Sequence, residues 1–213
     1  LINQLRAQMG TGEVVVTPSS IDFADKVATE YRKDNWNWDL MEKYHHDAKA
    51  INRVAREYGL MTTSAEQESK GLQYYENAYI WREKAGQMSV AEMKRRIYDS
   101  VVEFMFNGYE WLHATSISGL NTGRQKNYLG VDFSMESDIT MAHFTMVSED
   151  QVKYASKKNF NASPITGKAA TAKVDPQEVA QAQTAYDAAF KANQLALASK
   201  GVAQTTYNRK AAA

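Results

Sequence analysis

Residues 63–84, TSAEQESKGLQYYENAYIWREK, decide how this chain is read. Thr63 and Ser64 each open a capping box, with Glu66 and Gln67 three residues on. Continued as a helix, the stretch carries Leu72, Tyr75, Tyr79 and Arg82 along one side. Gly71 weakens that helix by about 1 kcal/mol relative to Ala, and Gly86 ends it. Read this way, the segment supplies the third member of a helical bundle.

The neighbours fit the same pattern. Upstream, Ser19 or Ser20 caps a helix that lines up Ile21, Ala24, Val27, Ala28 and Tyr31. A second helix runs from about Trp36 to Tyr58, with Leu40, Met41, Tyr44, Ala48, Ile51 and Ala55 on one stripe, and Gly59 sits where a left-handed cap is wanted. Downstream, Ser89 caps a fourth helix, Glu92 reaches back, and Met88 packs on Met93 as a staple. That helix runs to about His113.

Outside the bundle the helical period fades. Residues 1–18 read as an N-terminal arm, with Val14-Val15-Val16 able to add as a strand to a partner. Residues 115–174 are irregular, punctuated by Gly119, Gly123 and Gly130, with one short hairpin pairing Tyr128–Phe133 with Ile139–Val147 and a short helix from Ser148. Asp175-Pro176-Gln177-Glu178 starts an Ala-rich helix over 175–200, and 201–213 form a tail. The expected fold is mainly α: a four-helix bundle over 19–114, two extended arms, an irregular region and a separate C-terminal helix.

Composition narrows the function. Lys plus Arg and Asp plus Glu both number 25 in 213 residues, which argues against wholesale binding to nucleic acid or anionic lipid. There is no cysteine, so disulfides, thiolate metal sites and Cys nucleophiles are excluded. No apolar run approaches the roughly 20 residues a transmembrane helix needs. The chain starts at Leu1, which reads as processing or trimming.

Two constellations carry chemistry. Glu42 and His45, and again Glu110 and His113, repeat Glu-x-x-His, the spacing that holds two Fe or Mn ions in di-metal carboxylate bundles. Against a metal site, Glu42 and His45 fall in the first turns of their helix. The reading preferred is no metal, with solvated carboxylates and partly buried, hydrogen-bonded histidines. The second constellation is aromatic: Trp36 and Trp38 at a helix start, with Trp81 and Trp111 off the main stripes, read as anchors for a protein partner, with Arg95 and Arg96 as charge contacts.

One stretch resembles a known family. Asn77-Ala78-Tyr79-Ile80, then Gln87–Met93, then Ile97-Tyr98 to Phe104-Met105-Phe106 resemble part of the helical domain of phycobilisome linker polypeptides. The resemblance covers about 30 residues. It implies a non-catalytic scaffold between light-harvesting subunits, in a chloroplast stroma or on a thylakoid surface after transit-peptide removal. With no cysteine, this chain would carry no thioether-linked bilin. The sequence is therefore read as a linker or assembly subunit that binds neighbouring proteins, with a di-metal oxidase or metal-binding bundle as the alternative. A phage or organelle assembly protein fits the same physics.

Overall fold

Ile139–Ser148 (ITMAHFTMVS) is buried at all ten positions, which marks a strand covered on both faces. The computed structural model describes residues 1–166 apart from Lys84, Ala85, Tyr109 and Ser137, together with eight isolated positions beyond them (Thr184, Ala188, Lys191, Ala192, Leu195, Ser199, Lys200 and Asn208). The chain divides into two units, 1–166 and 167–213. The eight described positions of the second unit are helical. The expected helix over 175–200 and tail over 201–213 otherwise lie outside the described residues.

In the first unit the elements run α1 (Ile2–Met9), β1 (Val14–Val15), α2 (Pro18–Lys33), α3 (Trp38–Tyr44), α4 (Ala48–Glu57), α5 (Ala65–Glu68), β2 (Glu76–Trp81), α6 (Val90–Phe106), α7 (Leu112–Ile117), β3 (Asn127–Glu136), β4 (Ile139–Ser148) and α8 (Glu149–Lys153). The strands form one mixed sheet in the order β1-β3-β4-β2. β1 pairs parallel with β3, and the other pairs are antiparallel.

The period of two along each strand sorts side chains between two layers. Ile139, Met141 and Val147 face a core built with Phe23, Val27 and Tyr31 of α2 and Ile51 and Val54 of α4. Ala142, Phe144 and Met146 face the opposite core, with Val101 and Phe104 of α6 and Ile117 of α7. Gly130 lets α2 lie directly on β3, because a Cβ there would overlap the Ser20 carbonyl oxygen.

The mainly-α expectation is thus corrected to an α/β fold. Of the stretch 63–84, the described helix is a single turn, α5, capped by Ser64 and Gln67. Residues 76–81 then form an edge strand on β4. Tyr79, Ile80 and Trp81 suit a pleated, half-buried surface, and cross-strand packing outweighs helix propensity there. The helix expected over 36–58 is two, α3 and α4, broken where His45 adopts φ 64°. The irregular region contributes the central hairpin β3–β4, longer than the short one expected.

The N-terminal segment is no free arm. β1 joins the sheet, and the Arg6 side chain is buried, donating Nε–H to the Ile117 carbonyl and Nη–H to the Gly12 and Ser116 carbonyls. Burial lowers its guanidinium to about 10. Arg6→Ala leaves these carbonyls without their charged donor, so a loss of about 2 kcal/mol is expected, read as a lower urea midpoint. An unchanged midpoint would restore the arm.

Candidate functional site at the start of the edge strand

Tyr74-Tyr75-Glu76-Asn77 enters β2 where the two layers meet. Adjacent strand residues point to opposite faces. Asn77 Nδ2 donates to Ser116 Oγ of α7 on one face. Glu76 points to the other, and its side chain is fully buried. A buried carboxylate needs donors, and Glu76 has three. Tyr31 Oη donates to Oε2 at 2.6 Å, His46 Nδ1 lies 2.8 Å from Oε2, and His143 Nδ1 lies 2.6 Å from Oε1. Burial alone would raise the Glu76 carboxyl, but His143 and His46 outweigh it and hold the group well below the usual carboxylate range.

An ionised carboxylate only accepts, so the proton positions follow. Both histidines carry hydrogen on Nδ1. In the neutral ring Nε2 is then the acceptor. His143 Nε2 lies 2.7 Å from Ser134 Oγ, accepting from it in the neutral ring and donating to it in the charged one. Burial and the Glu76 charge push the Tyr31 phenol well above its ordinary value. It stays protonated, donates to Glu76 and accepts the Asp47 amide at 2.8 Å.

That amide follows His46, so the backbone beside the imidazole is pinned. Asp47 also caps α4 by accepting from the Ala50 amide. Burial pushes the Asp47 carboxyl up to about 7, with the capping bond opposing the shift and Asp34 adding to it. Gly71 holds φ 75° and packs so closely on the Tyr44 carbonyl that no side chain fits.

The second half comes from the other layer. Glu110 Oε1 accepts from His113 Nδ1 at 2.7 Å, and Oε2 accepts the Leu112 amide at 2.6 Å. Burial pulls the Glu110 carboxyl up, but His113, Asn107 and the Leu112 amide together lower it. The His113 ring stacks on Phe104, with centroids 4.8 Å apart and planes 20° apart. The His46 and His113 rings are neighbours, with centroids 6.5 Å apart and planes tilted by 52°. Both line one cleft of about 600 Å³, together with Tyr44, Gln73, Tyr74 and Asn121. Among the described residues, no three His, Asp or Glu side chains converge as a full metal-binding set.

The residues singled out from sequence fare unequally. Of the two Glu-x-x-His pairs, Glu110–His113 forms. Glu42 and His45 are exposed, and it is His46, carried by Glu76, that meets His113. The di-metal arrangement is corrected accordingly: α3 ends at Tyr44, its cap residue His45 takes φ 64°, and the next residue is presented instead. Trp36 is a core residue, edge-on to Tyr31. Trp38 lies under the Arg82 guanidinium, and Trp81 packs between Tyr79 and the Arg96 guanidinium. Arg96 is buried and paired with Glu83 and Glu92, whereas Arg95 pairs with Asp99 at the surface. Of the four tryptophans only Trp111 is fully at the surface, 64% exposed.

The network that joins Glu76 to His46, His143 and Tyr31 was not read from the sequence. The one signal for Glu76 is a carboxylate inside an aromatic run, which reads as a buried charge only once 76–81 is taken as a strand.

No protein-family model matches the chain, and no curated protein matches it. Among solved structures it is similar to one described as the CAP domain of Enterococcal PrgA, with a TM-score of 0.54 and 22% identity, over 78% of this chain. The chain spans 62% of the length of that structure. At this identity the likeness concerns the fold, and it agrees with the α/β architecture. Nothing in it bears on phycobilisome linkers. Asn77–Ile80, which carried that resemblance, is strand here and not helix, so the photosynthetic and chloroplast setting is not carried further. Among the described residues, no helix is long and apolar enough to cross a membrane.

Proposed function

We propose that this domain recognises a partner through the cleft at the start of β2, with one divalent transition-metal ion held by Nε2 of His46 and His113. The observation that carries the reading is the neighbouring, tilted pair of imidazoles, each anchored through Nδ1 by a carboxylate. Histidines that ligate metals usually donate their other ring nitrogen in this way, which fixes ring orientation and raises basicity. Two imidazoles sharing an ion at Zn–N distances of about 2.0–2.1 Å stand with centroids roughly 5–6 Å apart. The 6.5 Å separation is near that value.

Two protein ligands leave coordination positions open, where a bound ion serves as a Lewis acid toward an oxygen donor. The lips of the cleft favour a polypeptide donor. Leu72 and Tyr74 stand half-exposed in its lining, and Leu112, also in the lining, is 81% exposed beside Trp111. Exposed apolar and aromatic side chains around a polar floor suit a partner's chain better than a free ion.

Calorimetric titration of zinc into metal-free protein is expected to show one site per chain. His46→Ala and His113→Ala should each weaken it about tenfold or more, while His45→Ala leaves it unchanged. Acetohydroxamate, an oxygen-donor probe, should bind the zinc-loaded protein and not the metal-free one. Absence of zinc binding, or binding indifferent to both histidines, overturns the reading.

A further inference from the structure

We infer that His143 and Tyr31 are positioning residues that set the tautomer of His46 from inside the fold, through the shared carboxylate of Glu76. The consequence for metal binding rests on the reading of the cleft given above; the tautomer itself does not.

The register of the sheet builds the arrangement. Glu76 stands opposite Thr145, and His143 lies two residues along β4 on the same face. Ser134 of β3 stands opposite Met141, again two residues from His143 on that face. Diagonal neighbours at this spacing are within reach of long side chains. The three strands therefore align Ser134, His143 and Glu76 across the sheet. α2 then lays Tyr31 against the His143 ring, edge-on with centroids 4.6 Å apart.

The acceptors are divided so that His46 is left with one choice. His143 takes Glu76 Oε1. Tyr31 and His46 share Oε2. His143 cannot reverse its ring without turning Nε2 away from Ser134 Oγ. Tyr31 cannot turn its hydroxyl hydrogen elsewhere, because its oxygen is taken by the Asp47 amide. With both donors fixed, the carboxylate cannot rotate, and it presents an acceptor to His46 Nδ1. His46 is held with hydrogen on Nδ1, which in the neutral ring leaves the lone pair on Nε2, and the residue lines the cleft.

The test labels the four histidine rings with ¹⁵N and reads the Nδ1 and Nε2 shifts of His46 in the metal-free full chain at one fixed pH. Wild type should show the Nδ1–H form. Tyr31→Phe, which keeps the ring and its packing, should move His46 toward a mixture of tautomers. His143→Leu should do the same, and His143→Asn, whose amide restores a donor toward Glu76, should return it. Zinc affinity should fall about tenfold in Tyr31→Phe and His143→Leu and recover in His143→Asn. A role confined to stability would lower the unfolding midpoint without moving these shifts. Unchanged His46 shifts in Tyr31→Phe, in folded protein, overturn the inference. If zinc fails to bind wild type while the shifts respond as described, the reading of the cleft fails and the positioning roles stand.

Discussion

Glu76→Gln should destabilise the first unit by about 3–5 kcal/mol, the range for removing one partner of a buried charged network. The amide offers one acceptor where the carboxylate serves Tyr31, His46 and His143. Its NH₂ group also faces a donor, so at least one buried hydrogen is left without a partner. Tyr31 and His143 contribute to the same core, so the cost extends from the site to the packing of α2 on the sheet. The measurement is the denaturant midpoint at neutral pH, with the slope checked for a two-state transition. A change under about 1 kcal/mol would mean that water reaches Glu76 and the network carries little of the fold.

The same residue sets an acid limb. Its carboxyl is held well below the value of an unfolded glutamate, near 4.3. The folded state therefore binds fewer protons than the unfolded state just below that value, and stability falls as pH drops. The contribution is complete above about pH 5 and is lost progressively as acid approaches the depressed value. Midpoints from pH 6 to pH 3 should fall in wild type and fall less steeply in Glu76→Gln.

The second large effect is expected at Gly130. Gly130→Val should cost about 3 kcal/mol, the upper end of overpacking penalties. A side chain there meets the Ser20 carbonyl and the Ala24 methyl of α2. Neither atom is the far end of a flexible side chain, so the helix itself must lift from β3. Ser20 would also lose its bond to the Leu129 carbonyl, and Tyr31, further along the same helix, would shift from Glu76. The variant should show a lower melting midpoint together with weaker zinc binding. A stable variant with intact zinc binding would place the helix farther from the sheet than described.

Much of the local structure was legible because it depends on near neighbours in the chain. Ser89 accepts from the Glu92 amide and starts α6, and Ser64 and Gln67 make their reciprocal box. Gly59 is left-handed at φ 66° after α4. The hairpin pairing of 128–133 with 139–147 follows from alternation across a turn. By contrast, 72–82 has a helical stripe and strand-forming residues together, and local spacing favoured the wrong one. Its state depends on β4, 60 residues away, which offers both hydrogen bonds and a buried face.

The candidate site divides the same way. Glu110 and His113 were found because they sit three residues apart and bond to each other. His46, Glu76 and His143 come from a turn and two strands, and no spacing in the chain links them. By itself the sequence determined where some helices begin or end, as at Ser64, Ser89 and Gly59, because a cap is satisfied within a few residues, but not how far each helix runs. Only the tertiary structure decided that 76–81 is a strand, that residues 1–15 belong to the fold and that His46 meets His113. Each of those depends on a partner supplied by a distant part of the chain, and the free energy of that contact is invisible until the chain has closed on it.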